Sequence, residues 1–89
     1  MRESDIEEYF VDQVEALGGE TRKLKWIGRR GGMDRFAKLP NRPALLAEIK
    51  APGKIPKRHQ QKEIDRLRAV GMWVEVIDSK ERVDEVLGC

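Results

Sequence analysis

Two carboxylates and one ammonium stand out in a stretch of this chain that is otherwise basic. Glu48 and Lys50 lie two residues apart in the run Ala44-Leu45-Leu46-Ala47-Glu48-Ile49-Lys50, and from Arg22 to Lys62 there are thirteen basic residues and two acidic ones, Asp34 and Glu48. A pair of carboxylates with no histidine or cysteine in the set makes a hard oxygen site, the kind that holds Mg²⁺ or Mn²⁺ with several waters retained; zinc is not expected. An ion of that kind can polarise a phosphate oxygen and acidify a water, and a nearby lysine can orient or deprotonate that water. Clustered Lys and Arg are what displace counterions from phosphates. Together these residues could hydrolyse a phosphodiester. The plainer readings are a buried Glu48–Lys50 salt bridge and a solvated charged surface.

The rest of the chain must position them. Ala44–Lys50 reads as a buried strand with Glu48 and Lys50 on one face and Leu45, Ala47 and Ile49 on the other. Pro43 and Ala51-Pro52-Gly53 bound it. Met33–Leu39 reads as the strand before it, with Asp34 at its start; Asp34, Phe36 and Lys38 share one side, and Met33, Arg35, Ala37 and Leu39 the other. The turn Pro40-Asn41-Arg42-Pro43 pairs the two strands as an antiparallel hairpin. Thr21–Ile27 reads as a further strand, with Leu24 and Trp26 on one face and Lys23 and Lys25 on the other. Gly28-Arg29-Arg30-Gly31-Gly32 then forms a turn whose two guanidiniums suit close approach to phosphate.

Ser4 as a cap with Glu7 three residues on, and Ile6, Phe10, Val14 and Leu17 at helical spacing, predict a helix over about Asp5–Leu17, ended by Gly18-Gly19. Glu7 could serve the cap or reach over the rim of a sheet. A second helix is predicted over about Lys57–Val70, turning Ile64, Leu67 and Val70 inward and stopping at Gly71. Gln60 continues that stripe, and it either meets the strand end carrying Lys50 or stays partly exposed. Met72–Ile77 reads as a last strand, with Trp73 opposite Val74 and Val76. Ser79 caps a closing helix that packs Val83, Val86 and Leu87. His59, without an acid near it in sequence, reads as a surface residue.

At 89 residues, 39% hydrophobic and 38% charged, the chain is expected to be one small domain spanning 1–89. Cys89 has no intrachain partner, which excludes disulfides and cysteine metal sites and suits a reducing cytoplasm. No run nears the roughly 18 apolar residues of a membrane span, and no signal peptide is visible at the start. The basic middle contrasts with an acidic first segment containing Glu3, Asp5, Glu7, Glu8, Asp12 and Glu15. Five aromatic residues without an adjacent stacking platform disfavour a small RNA-binding protein.

In Glu3-Ser4 with Ile6-Glu7, Gly28-Arg29-Arg30-Gly31-Gly32-Met33-Asp34-Arg35, Ala47-Glu48-Ile49-Lys50-Ala51-Pro52-Gly53, Gln60 and Val76-Ile77-Asp78-Ser79, the chain resembles the PD-(D/E)XK nuclease superfamily. Within that superfamily it is similar to the virus-type replication-repair nuclease family, VRR-NUC, over nearly its whole length. The resemblance implies a restriction-endonuclease-like α/β fold: an α-β-β-β-α-β core with a mixed sheet flanked by helices, and a short C-terminal helix. It implies Mg²⁺ or Mn²⁺ held by Asp34, Glu48 and the Ile49 carbonyl, with Lys50 acting on the water and Glu7 and Gln60 in auxiliary catalytic roles. Lys23, Lys25, Arg29, Arg30, Arg35, Lys54, Lys57 and Arg58 are then the expected DNA contacts. The family usually has proline before the first acid, where this chain has Met33. The implied protein is a phage or bacterial homodimer cutting branched DNA such as four-way (Holliday) junctions. A monomeric flap or end nuclease and a non-catalytic DNA-binding module remain as alternatives.

Overall fold

The computed structural model describes residues 1–28 and 32–88, so Arg29, Arg30 and Gly31 of the expected Gly28–Gly32 turn, and Cys89, lie outside the described residues. The elements are α1 (Glu3–Ala16), β1 (Glu20–Lys23), β2 (Arg35–Lys38), β3 (Leu45–Ile49), α2 (Arg58–Ala69), β4 (Trp73–Ile77) and α3 (Lys80–Leu87), in the expected order. The strands form one mixed sheet, β1-β2-β3-β4, in which β1, β2 and β3 are successively antiparallel and β4 runs parallel to β3. Parallel neighbours cannot be joined by a tight turn, and α2 is the crossover between them.

Every residue of β3 is buried, and its alternation feeds two cores. Leu45, Ala47 and Ile49 meet Ile6, Phe10 and Val14 of α1 and Val83, Val86 and Leu87 of α3. Leu46 joins Ile64 of α2, Met33 and Val74 on the other face. Among the described residues the first cluster holds twelve buried residues and the second four. At roughly 1.5–3 kcal/mol for each large side chain withdrawn from water, the α1/α3 layer supplies most of the cohesion. The α2 layer has room for polar groups, and the site lies there.

Element ends differ from the sequence reading. The residue that caps α1 is Arg2, not Ser4: its extended backbone N–H donates to Asp5 Oδ2 at 2.9 Å, so Ser4 lies inside the first turn. Both Ser4 and Asp5 are chemically able to organise a helix start, and the Asp5 bond to Arg2 begins the helix two residues early, leaving Glu7 free of any cap role. α1 also stops at Ala16, which leaves Leu17 exposed. Strand β1 is shorter than expected: after the Leu24 N–H bonds the Asp34 carbonyl at 2.8 Å the chain leaves the ladder, and Lys25 is not on a strand. β2 begins at Arg35, so the period-two count fails at Met33, which packs with Leu46 and Ile64 and not on the Arg35–Ala37 face. Val70, expected inward, is 81% exposed because α2 ends at Ala69 and the Met72 N–H folds back to the Leu67 carbonyl at 3.0 Å. Ser79 caps α3 as expected, accepting from the Arg82 N–H at 2.9 Å.

Gly19 joins α1 to β1 by close approach. A Cβ there would stand 2.7 Å from the Lys38 carbonyl oxygen and 3.0 Å from both Leu39 Cδ2 and Val14 Cγ1. The carbonyl belongs to strand β2, so it cannot swing aside as a side-chain tip could. Gly19→Ala is therefore expected to lose about 1–3 kcal/mol, the usual cost of overpacking. Urea denaturation measures it, and an unchanged midpoint would contradict the contact.

Candidate active site

Asp34 stands at the bend into β2, where its N–H donates to the Ala47 carbonyl at 3.0 Å. Its side chain turns across the hairpin, and Oδ2 accepts from the Ile49 N–H at 2.9 Å. This bond fixes the acid against the end of β3, and it explains why the strand alternation does not extend back through Met33. Ile49 entered the sequence reading for its carbonyl; the structure shows its N–H as the group that orients Asp34.

Glu48 projects from β3 on the α2 side and is 2% exposed. Oε2 pairs with Lys50 Nζ at 3.4 Å, while Oε1 is buried with no hydrogen-bond partner. Burial, and after it the negative charge of neighbouring Asp34, push the Glu48 carboxyl up to about 7 against the pull of Lys50. Lys50 Nζ also donates to Gln60 Oε1 at 2.7 Å, and the same oxygen accepts from the Lys57 N–H at 2.8 Å. Gln60 thus caps α2 and holds Lys50 in one contact: it meets the strand end carrying Lys50, as one of the two readings of the sequence has it, while staying half-buried, and its capping of α2 is an addition the sequence reading did not contain. Glu63, three residues further along α2, was missed by the sequence reading; it is buried and pairs with Arg66 at 3.3 Å. Its position beside inward-facing Ile64 was the available signal.

The structure therefore gathers Asp34, Glu48, Ile49, Lys50 and Gln60. Glu7 is held elsewhere: Oε2 accepts from Arg35 at 2.9 Å and from Lys23 at 3.4 Å. Burial opposes its charge, yet the Arg35 hydrogen bond and the Lys23 charge prevail and hold the carboxyl below its usual value. Arg35, expected to meet phosphate, is only 13% exposed at its side chain and also donates to Thr21 Oγ1 at 3.1 Å. It ties α1 to the sheet. Lys25, Lys54, Lys57 and Arg58 are exposed, as is Lys23 beyond its contact with Glu7. His59 is half-buried at the start of α2.

The donor set fits a hard divalent cation. Two carboxylates adjoin, one of them carries a buried oxygen that nothing satisfies, and a single lysine offsets their charge. Among the described residues no group of three or more His, Cys, Asp or Glu gathers, so a complete protein cage is absent; Mg²⁺ rarely needs one, because water and substrate oxygens fill its shell. A surface depression of about 490 Å³ lies against α1, lined by Asp5, Glu8, Asp12 and Lys80, away from these groups. Its acids make it unsuited to a polyanion.

Burial of Glu48 has a measurable consequence in metal-free buffer. The carboxyl titrates near 7 in the fold against an ordinary value of 4.5, so the folded state binds the proton more tightly. The associated stability is full below about 4.5 and is lost as pH rises to about 7. Between pH 5 and pH 8, urea melts should shift the stability difference between the parent and Glu48→Gln toward the variant by on the order of 2–3 kcal/mol. A difference constant over that window would show that Glu48 does not titrate there.

No family model matches the chain. It is 42% identical over 81 residues to "Putative nuclease p44" of Acyrthosiphon pisum secondary endosymbiont phage 1, an alignment spanning 91% of this chain and 87% of that protein. It also superposes on a solved structure described as "VRR_NUC domain" with a TM-score of 0.90 and 34% identity, over 97% of this chain and 94% of the other. Likeness at that identity and coverage, in sequence and in fold, places the chain in the virus-type replication-repair nuclease (VRR-NUC) family.

Proposed function

We propose that the chain is a divalent-metal-dependent DNA endonuclease that hydrolyses phosphodiester bonds in branched DNA, four-way junctions among them, as a homodimer. The observation that carries this reading is Glu48 Oε1, a carboxylate oxygen shut away from water with no partner, beside a second carboxylate. Leaving such an oxygen unsatisfied is costly, and a bound cation would remove the cost. Asp34 and Glu48, with the Ile49 carbonyl, would hold Mg²⁺ or Mn²⁺, which when bound supplies Lewis-acid polarisation of a phosphate oxygen and an acidified water. Lys50, aimed by Gln60 and Glu48, has an ammonium donor left for the attacking water or the phosphate. Gln60 sets the direction of Lys50 without competing for its charge.

Lys25, Lys54, Lys57 and Arg58 would neutralise phosphates flanking the scissile bond, contacts that position the DNA but carry no sequence information. Branched DNA and the homodimer rest on symmetry and on family resemblance. One chain has one Asp34-Glu48-Lys50 set, a four-way junction offers two related strands, and a two-fold dimer would present two matching centres.

Asp34→Ala, Glu48→Ala and Lys50→Ala should each slow cleavage of a labelled panel of duplex, flapped, forked and four-way DNAs in Mn²⁺ by about 10²–10³-fold or more. Affinity for the same DNAs, read by anisotropy, should stay close to that of the parent in the two carboxylate variants. Parental cutting rates in excess EDTA, or in either carboxylate variant, would contradict the mechanism.

A further inference from the structure

Of the six isoleucines in the chain, four are at most 1% exposed, whereas Ile27 is 88% and Ile55 81% exposed. Scattered apolar exposure is ordinary on a protein surface. The placement of these two is not scattered. β1 and β3 both run toward the end of the sheet where β2 begins, so the segment after β1 and the segment after β3 emerge together around Asp34 and Lys50. Ile27 lies on the first and Ile55 on the second. Val70, the other large apolar side chain above 80% exposure among the described residues, follows α2, just ahead of β4 at the opposite end of the sheet.

Both isoleucines are presented from anchored backbone. Trp26, immediately before Ile27, donates its indole N–H to the Met33 carbonyl at 2.7 Å, and its ring lies so close over Gly32 that no Cβ would fit there. On the other segment the Lys54 N–H closes a turn to the Ala51 carbonyl at 3.0 Å through Gly53, whose φ of 77° favours glycine. Gln60 then holds the Lys57 N–H on the far side of Ile55. Cations accompany each apolar tip: Lys25 precedes Ile27, and Lys54, Lys57 and Arg58 surround Ile55, all exposed. An apolar tip flanked by cations suits a surface that is anionic outside and apolar within, which describes a stack of bases behind its phosphates.

We propose that Ile27 and Ile55 are wedges that enter opened base steps next to the phosphate presented to Asp34 and Glu48, and that they give the chain its preference for branched over continuous DNA. The inference rests on the DNA-nuclease reading. Inserting an apolar side chain between bases requires unstacking, which is least costly where stacking is already interrupted. A branch point supplies such a step, and a continuous duplex does not.

The test uses Ile27→Ser, Ile55→Ser and the double variant, with affinity measured in metal-free buffer for a four-way junction and for a duplex of equal length. Both side chains are exposed, so folding is not at issue, and melting curves check this. Each single substitution should lower the junction-to-duplex affinity ratio about tenfold, the order expected for losing one buried isoleucine. The rise in emission of 2-aminopurine placed at the branch should disappear in the double variant. An unchanged ratio with the emission rise retained overturns the proposal. So does sedimentation showing that the variants dissociate a parental dimer, since the isoleucines would then belong to a contact between copies. A parent that cuts no DNA and binds none defeats the nuclease reading itself; a parent that cuts, with variants of equal preference, defeats only the wedges.

Discussion

Glu48 is the residue the rest of the structure must accommodate. A carboxylate at the centre of a buried strand, with one oxygen paired to Lys50, the other given no donor and the Asp34 carboxyl close by, opposes folding by several kcal/mol. That is the order of what two large core side chains contribute. The α1/α3 layer absorbs this cost on the opposite face of the same strand, where Leu45, Ala47 and Ile49 are sealed between two helices. The acid is therefore held in place by its neighbours in sequence, and the sheet does not need Glu48 for its own cohesion.

Alternation along β3 also divides the labour of the flanking helices. α2 faces the site and contributes polar groups, with Gln60 closing its first turn and reaching Lys50 together. α1 faces the apolar layer and meets the charged rim through Glu7, which clamps Arg35 and Lys23. The clamp joins helix to sheet while removing one guanidinium from the surface open to phosphate. Acids concentrated on α1 and cations on the segments around Asp34 leave the two sides of the molecule with opposite character, a distribution that orients a polyanion before it makes contact.

Much of this was legible in the sequence where a signal is local and repeated. The apolar run around Glu48 marked the strand and its faces, and Ser79 marked the start of α3; helical spacing put Gln60 on the inward stripe but left it between Lys50 and solvent, and the bond to Lys50 Nζ decides it. What escaped was decided by tertiary partners. Ser4 and Asp5 are equally able to cap a helix, and only the bond to the Arg2 N–H separates them. Asp34 breaks the alternation because its carboxylate is drawn to the Ile49 N–H, which moves Met33 to the other face. Arg35 reads as one more cation of a basic block until Glu7, 28 residues away, is brought against it. Val70 fits the apolar stripe of α2, but the chain has already turned there.

The central claim is that the unpartnered oxygen of Glu48 and the carboxylate of Asp34 form a cation site. Anomalous diffraction from crystals soaked in Mn²⁺ addresses it without any DNA or assay of cutting. The account predicts an anomalous peak bound by Glu48 Oε1 and Asp34. Crystals that show no peak there, with Glu48 and Asp34 held as they are without the ion, would contradict it.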